Sequence, residues 1–210
     1  MSPDTLGDIL SPATTQRHPG NPCRVVPTTS NRPFPVHILF VHQNFPAQFG
    51  QIARHLVRQH GFQCTFLSER PPGNDDGVRR IQYRVQGGAT RKTHYCSRTF
   101  ENAVWHAHAV YEAVKACPEV RPDLVVGHSG FGSTLFLGEL YSCPIINYFE
   151  YFYRSTHSDM DFRPDFPCSE IDRLRARARN ATILLDLDNC HSGYAPTRWQ
   201  RDTLPKIFHH

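Results

Sequence analysis

Val36-His-Ile-Leu-Phe-Val-His-Gln-Asn-Phe-Pro46 and Gly127-His-Ser-Gly-Phe-Gly-Ser-Thr134 decide how this chain is read. Each passes from apolar residues through a histidine into a loop rich in Gly, Asn or Pro, and then into a helical pattern. Open α/β sheets place their ligands at such strand-to-helix passages, outside the carboxyl ends of the strands. Two of them, marked by His42 and His128, predict one crevice lined from both sides.

Outward from these stretches the pattern alternates. Residues 36–42 read as a buried strand. Phe49, Ile52, Ala53, Leu56 and Val57 then recur at helical spacing, and Gly61 supplies a C-terminal cap. Gln63–Ser68 is a second strand, 71–77 a Pro/Gly/Asn/Asp turn and Val78–Val85 a third strand. Phe100, Ala103, Val104, Ala107, Tyr111 and Val114 form the apolar stripe of a helix over about 98–117. A strand at Leu124–His128, a short helix at 133–140 and a strand at Pro144–Tyr148 follow. Ile171, Leu174, Ala178, Ala181 and Leu185 mark a further helix, and Gly193–Pro196 a last strand before a helix capped by Thr197. Strands alternating with helices predict an α/β fold, a doubly wound, mostly parallel, Rossmann-like sheet with right-handed crossovers. Residues 1–34, rich in Pro, Ser, Thr and Asn, read as a disordered leader, and 35–210 as one domain.

Composition excludes several classes. Of 210 residues, 39% are hydrophobic and 20% charged, ordinary for a globular domain. The formal charge of +4 is spread along the chain, so no nucleic-acid partner is implied. Arg173, Arg175, Arg177 and Arg179 read as a solvated face. Seven scattered cysteines without a CxxC pair point to a reducing compartment, the cytoplasm. No apolar run approaches the about 18 residues needed to span a bilayer, and no secretory signal stands at the N-terminus.

The loop after the first strand lacks the GxGxxG that lets backbone approach a pyrophosphate, so dinucleotide binding in the usual mode is not expected. Gln43 and Asn44 offer amides there, or Asn44 is simply a turn residue. Gly130 and Gly132 permit close backbone approach in the second loop. His128 is either a ligand contact or a satisfied interior histidine. Glu150, within Tyr148-Phe-Glu-Tyr-Phe-Tyr153, is a carboxylate among aromatics, which suits stacking on sugar rings or merely fills space. Asp159-Met-Asp161 has the form of a metal-binding DxD but lies in a Pro-rich loop, where Asp serves turns; no metal is expected. His106 and His108 face different directions on a helix and make no zinc site. No GxSxG supports acyl transfer.

Taken in order, HILFVHQNFPAQF, GHSGFG, YFEYFYR, DFRPDFP, RARNA and APTRWQ resemble bacterial family 4 glycosyltransferases, and specifically their N-terminal domain, over about 36–207. The resemblance implies retaining transfer of a sugar from a nucleotide-sugar donor, by two Rossmann-like domains facing across a cleft in the GT-B manner. The N-terminal domain mainly takes the acceptor, and the C-terminal one grips the nucleotide sugar, often through Glu-x7-Glu. By position, His128 resembles the cleft histidine near the transferred sugar and is the catalytic candidate. His42, Asn44, Gly130, Gly132 and Glu150 are candidates for substrate binding. The family often has His-Pro-Gly-Trp-Gly-Glu where this chain has Ser129, Phe131 and Ser133. Losing the carboxylate at 133 removes an acceptor for sugar hydroxyls.

No two glutamates are separated by seven residues, and the sequence stops at Lys206–His210, near the expected interdomain linker. The expectation is therefore that the donor-binding domain is absent and that the chain is inactive alone. No cofactor is expected beyond the nucleotide sugar as co-substrate; the expected partner is a carbohydrate or glycan acceptor. The rival reading is a stand-alone carbohydrate- or partner-binding module, which an exposed aromatic strip at 148–153 would favour. A poorly folding fragment is a third.

Overall fold

Leu39 and Val41 point to one side of the first strand, Ile38 and Phe40 to the other, and all four are buried. A strand apolar on both faces needs a helical layer above and below, and that is how this chain packs. The computed structural model describes residues 35–209; the proposed leader at 1–34 lies outside the described residues. The strands are β1 (His37–Val41), β2 (Gln63–Ser68), β3 (Gly73–Asp75), β4 (Val78–Gln82), β5 (Leu124–His128), β6 (Ile145–Tyr148) and β7 (Ser192–Tyr194). The helices are α1 (Gly50–His60), α2 (Arg98–Lys115), α3 (Glu170–Asn189) and α4 (Arg198–Thr203). They form one sheet in the order β3-β4-β2-β1-β5-β6-β7. Every neighbouring pair is parallel except β3 with β4. The α/β, mostly parallel, Rossmann-like expectation holds.

One core joins Leu39, Val41, Leu67, Val125 and Ile145 of the sheet to Val110 and Val114 of α2. The other joins Ile38, Phe40, Cys64 and Phe66 to Ala53 of α1 and to Phe49 before it. Gly61 ends α1 as predicted: at φ 65° its N–H reaches the carbonyls of Leu56 and Val57. A third cluster, Phe149, Phe152, Ile183 and Leu204, seats α3 at the β6–β7 end.

Four local expectations need correction. Part of the 71–77 turn is β3, a short antiparallel edge strand hydrogen-bonded to β4 through an Asp76-Gly77 turn. The third strand ends at Gln82 rather than Val85. The short helix over 133–140 reduces to a single 3-10 turn at Leu137–Glu139, because Gly130 and Gly132 hold positive φ before it and Thr134 bonds to Asn147 rather than capping. The stripe proposed for α3 points outward: Ile171, Leu174 and Leu185 are exposed, and Ala176, Asn180, Thr182, Ile183 and Asp186 are buried.

The sheet order fixes where a ligand can sit. Through α1 the chain leaves β1 to one side, reaching β2; through α2 it returns past β1 to β5 on the other. The carboxyl ends of β1 and β5 therefore flank a topological switch point, the place where crossovers diverge and leave a crevice.

Candidate functional site

His42 follows β1 directly and His128 ends β5, so the switch point brings their rings to 5.2 Å between centroids, edge to face. Both open on the same side of the sheet. His42 is buried, and its Nδ1 lies 2.9 Å from the N–H and 3.2 Å from the carbonyl oxygen of Asn44. Burial first, and then the charge of the neighbouring His128, push the His42 imidazole down to about 4. It is a neutral ring at physiological pH. Asn44 turns its side chain away, its Oδ1 accepting from Arg70 Nη2 at 2.9 Å.

The His128 ring stands between two acceptors. Its Nδ1 lies 2.8 Å from the Ser129 carbonyl and its Nε2 3.1 Å from Glu150 Oε2. A carbonyl and a carboxylate offer no proton of their own. The side chain of His128 is buried and that of Glu150 half exposed, so the pair meets solvent at the mouth of the crevice. A group held this way can give a proton to a hydroxyl or take one from it.

The glycine loop carrying these groups is clamped from α3 by Asp186, a residue sequence reading did not single out. One carboxylate oxygen of Asp186 accepts both Ser129 Oγ–H at 2.8 Å and Gly130 N–H at 2.9 Å. The side chain is fully enclosed and its Oδ1 has no partner. Burial pushes the Asp186 carboxyl up to about 6, against the lowering pull of those two donors. The only signal in the sequence was an Asp on the same helical face as Ile183, out of phase with the exposed leucines. Gly130, at φ 90°, adopts a backbone that side-chain-bearing residues avoid. Gly132 serves packing: a Cβ there would lie 2.1 Å from the Ala103 carbonyl oxygen of α2.

Beside this loop opens a cleft of about 450 Å³, within the range of small-molecule sites. Of the candidates, His128, Gly130 and Glu150 line it; His42 stands behind His128, and Asn44 and Gly132 lie off it. The facing wall is Thr99, Asn102 and His106 of α2. His106 was set aside on the sequence because two histidines two apart make no metal pair. In the fold it is held by Tyr83 OH at Nδ1 (3.1 Å), and by Gln43 Nε2 (3.3 Å) and Glu69 (3.2 Å) at Nε2. Burial lowers its pKa, with Glu69 opposing. The floor is Tyr151, Tyr153, Ile183 and Arg179.

Arg175 and Arg179 correct the expectation of a solvated arginine face. One turn apart on α3, they lie half-buried over the rings of Tyr95 (4.6 Å) and Tyr153 (3.7 Å), whereas Arg173 and Arg177 are exposed. The aromatic run is not an exposed strip either. Phe149 and Phe152 are buried, and Tyr148, Tyr151 and Tyr153 are half-buried. Asp161 accepts from the N–H groups of His157 and Ser158, the turn role expected of it, whereas Asp159 accepts from Tyr151 OH. Among the described residues, no group of three His, Cys, Asp or Glu is placed to hold a metal. No described helix is long and apolar enough to cross a membrane.

No curated protein matches the chain in sequence. Among solved structures it is similar to a sucrose-phosphate synthase from Thermosynechococcus elongatus, at 13% identity over 82% of each chain with a TM-score of 0.49. It is also similar to a calicheamicin glycosyltransferase, at 14% identity over 73% of this chain and 42% of that one, TM-score 0.41. The glycosyltransferase SnogD from Streptomyces nogalater aligns at 15% identity over 82% of this chain and 47% of its own, TM-score 0.40. The chain thus spans less than half the length of the last two. Residues 60–210, well over half of the sequence and including the glycine loop, Glu150 and the whole of α3, match the family described as the glycosyl transferase family 4 group, and to that family the chain belongs.

Proposed function

We propose that residues 35–209 form the acceptor-side, Rossmann-like half of a GT-B glycosyltransferase that moves a sugar from a nucleotide-sugar donor to a carbohydrate acceptor with retention at the anomeric carbon. The observation that carries this reading is the His128–Glu150 pair, set at the β1/β5 switch point of a family 4 chain and opening into a cleft of small-ligand size. A sugar hydroxyl entering beside Glu150 meets a hydrogen-bonded imidazole–carboxylate pair, and half-buried tyrosines offer ring faces for stacking. His128 is assigned the contact to the transferred sugar and Glu150 the orientation of its ring. Gly130 gives the backbone approach; His42, neutral and packed edge-on, fixes the plane of His128, and the Asn44 backbone holds the His42 ring.

A departing nucleoside diphosphate needs strong electrostatic stabilisation. The described cleft walls contribute one guanidinium, Arg179, and no lysine. The donor phosphates are therefore assigned to a second domain, and the chain by itself is expected to turn over negligibly. No cofactor is proposed beyond the nucleotide sugar.

Titration calorimetry with simple sugars and nucleotide sugars, alongside a transfer assay, tests this. Sugars should bind without nucleotide, more weakly in His128→Ala and Glu150→Gln, and transfer should appear only when a donor-binding domain is supplied. Robust transfer by residues 1–210 alone, or tight nucleotide binding indifferent to His128→Ala, would contradict it.

A further inference from the structure

The α3 side of the cleft presents a cation, Arg179, with no ion-pair partner among the described residues. Arg179 lies over the Tyr153 ring, its Cζ 3.7 Å from the centroid, and its Nη2 donates to Tyr153 OH. Its Nε is enclosed without a partner, and among the described residues no carboxylate forms an ion pair with it. Each acid near this face already has its own partner, although Asp186 keeps one oxygen unbonded. Glu150 is committed to His128, Asp186 to the glycine loop, and Asp172 to Ser169 and to the Tyr95 hydroxyl that Arg175 also contacts. A guanidinium takes up partial burial at a cost, which is met when an anion arrives. The face of α3 that carries Arg179 is also its polar face, with Asn180 and Asp186 buried where leucines would be expected. Asn180 grips both backbone groups of Tyr153, at 2.8 Å each. The backbone that carries the Tyr153 ring beneath Arg179 is thereby fixed, and the ring and its hydroxyl together hold the guanidinium at the cleft.

We propose that the acceptor taken by this cleft is an acidic sugar, whose carboxylate or phosphate is bound by Arg179 while its hydroxyls meet Glu150 and Gln43. This rests on the acceptor-side reading above and narrows it from carbohydrates in general to anionic ones. The chemistry favours it. A planar guanidinium matches carboxylate and phosphate oxygens in pairs, and pre-orientation on a tyrosine lowers the entropy lost on binding. An exposed lysine would attract an anion without fixing its direction; this arginine does both.

The test compares four probes at low salt by calorimetry or ligand-observed NMR: methyl glucoside, methyl glucuronide, glucose 6-phosphate and UDP. One of the two acidic sugars is expected to bind at least about tenfold more tightly than the neutral glucoside, the scale of one charge-assisted hydrogen bond. Which of the two gains tells carboxylate from phosphate. Arg179→Gln should abolish the preference, and Arg179→Lys should keep only part of it, since the charge survives and the fork does not. Should Arg179→Gln unfold, Arg179→Lys and the loss of preference on raising NaCl from roughly 20 to 500 mM decide the matter. Equal affinity for neutral and acidic sugars, or a preference that persists in a folded Arg179→Gln, overturns the inference and leaves the acceptor-side reading standing. An Arg179-dependent gain shown by UDP alone overturns it in favour of a donor-phosphate contact. Failure of every sugar to bind removes both.

Discussion

Helices α2 and α3 face each other across the cleft, yet they are built on opposite plans. On α2 the buried positions are Ala103, Ala107, Val110 and Val114, apolar residues at spacings of three and four. On α3 they include Asn180, Thr182 and Asp186, while Leu174, Leu184 and Leu185 stand at 40% exposure or more. Hydrophobic burial positions α2 against the sheet. The inner face of α3 packs Ile183 into an apolar cluster and adds hydrogen bonds to two segments that line the cleft: Asp186 to the Ser129–Gly130 loop, and Asn180 to the backbone of Tyr153. The difference separates a helix that stabilises the core from one whose inner face arranges a cleft.

The sharpest way to break that contrast is to put a charge in α2. Val114→Asp places an unpaired carboxylate in the α2 core and should cost several kcal/mol, about enough to unfold a marginally stable domain; circular dichroism would show the loss. A native spectrum would mean that α2 is not the packing helix. Acid titration probes α3 next. The native pKa of Asp186 lies above its unfolded value, so its protonated form adds stability as pH falls through about 6. His42 works in the other direction: its native pKa near 4 lies below the unfolded value, and stability is lost as pH falls from 6.5 toward 4. In the native chain the two oppose each other over that window. Asp186→Asn removes the compensation, and urea melts at pH 7 and pH 4 should show an extra acid loss of about 2–3 kcal/mol. An unchanged pH profile would mean that Asp186 is not held as a buried carboxyl.

Asn180→Ala should cost about 2 kcal/mol, because two backbone groups of Tyr153 lose their partner. It should weaken sugar binding through the loosened Tyr153–Arg179 stack; a drop in melting temperature with intact sugar affinity would confine Asn180 to stability. At the small end, Leu174→Ser on the exposed side of α3 should change stability by no more than about 0.5 kcal/mol. A larger loss would show that the outward leucines are covered after all.

The same contrast explains how far the sequence could be read. Alternating strands and helices, the Gly61 cap and the α2 stripe follow from local periodicity, and they place β1 and β5 side by side with His42 and His128 together. The cleft lining was legible at the strand ends, where His128, Gly130 and Glu150 lie. It was illegible where α3 contributes, because reading apolar spacing as the buried face assumes that burial is hydrophobic. Ile171, Leu174 and Leu185 satisfied the pattern and face outward. Asp186 and Asn180 are buried because loops distant in sequence, 129–130 and 153, supply their hydrogen bonds. Arg179 was hidden in the same way, its tyrosine partner lying 26 residues earlier in the chain.

Amide NMR of the chain titrated with a simple sugar tests the central claim most directly, since it reports where a ligand sits without requiring turnover. Chemical shifts should move at Ser129, Gly130 and Phe131, at Glu150 and Tyr151, and at His106 across the cleft, with smaller changes on the outer side of α3. Shifts confined to other surfaces, or none at millimolar sugar, would contradict the assignment of the β1/β5 crevice as the carbohydrate site.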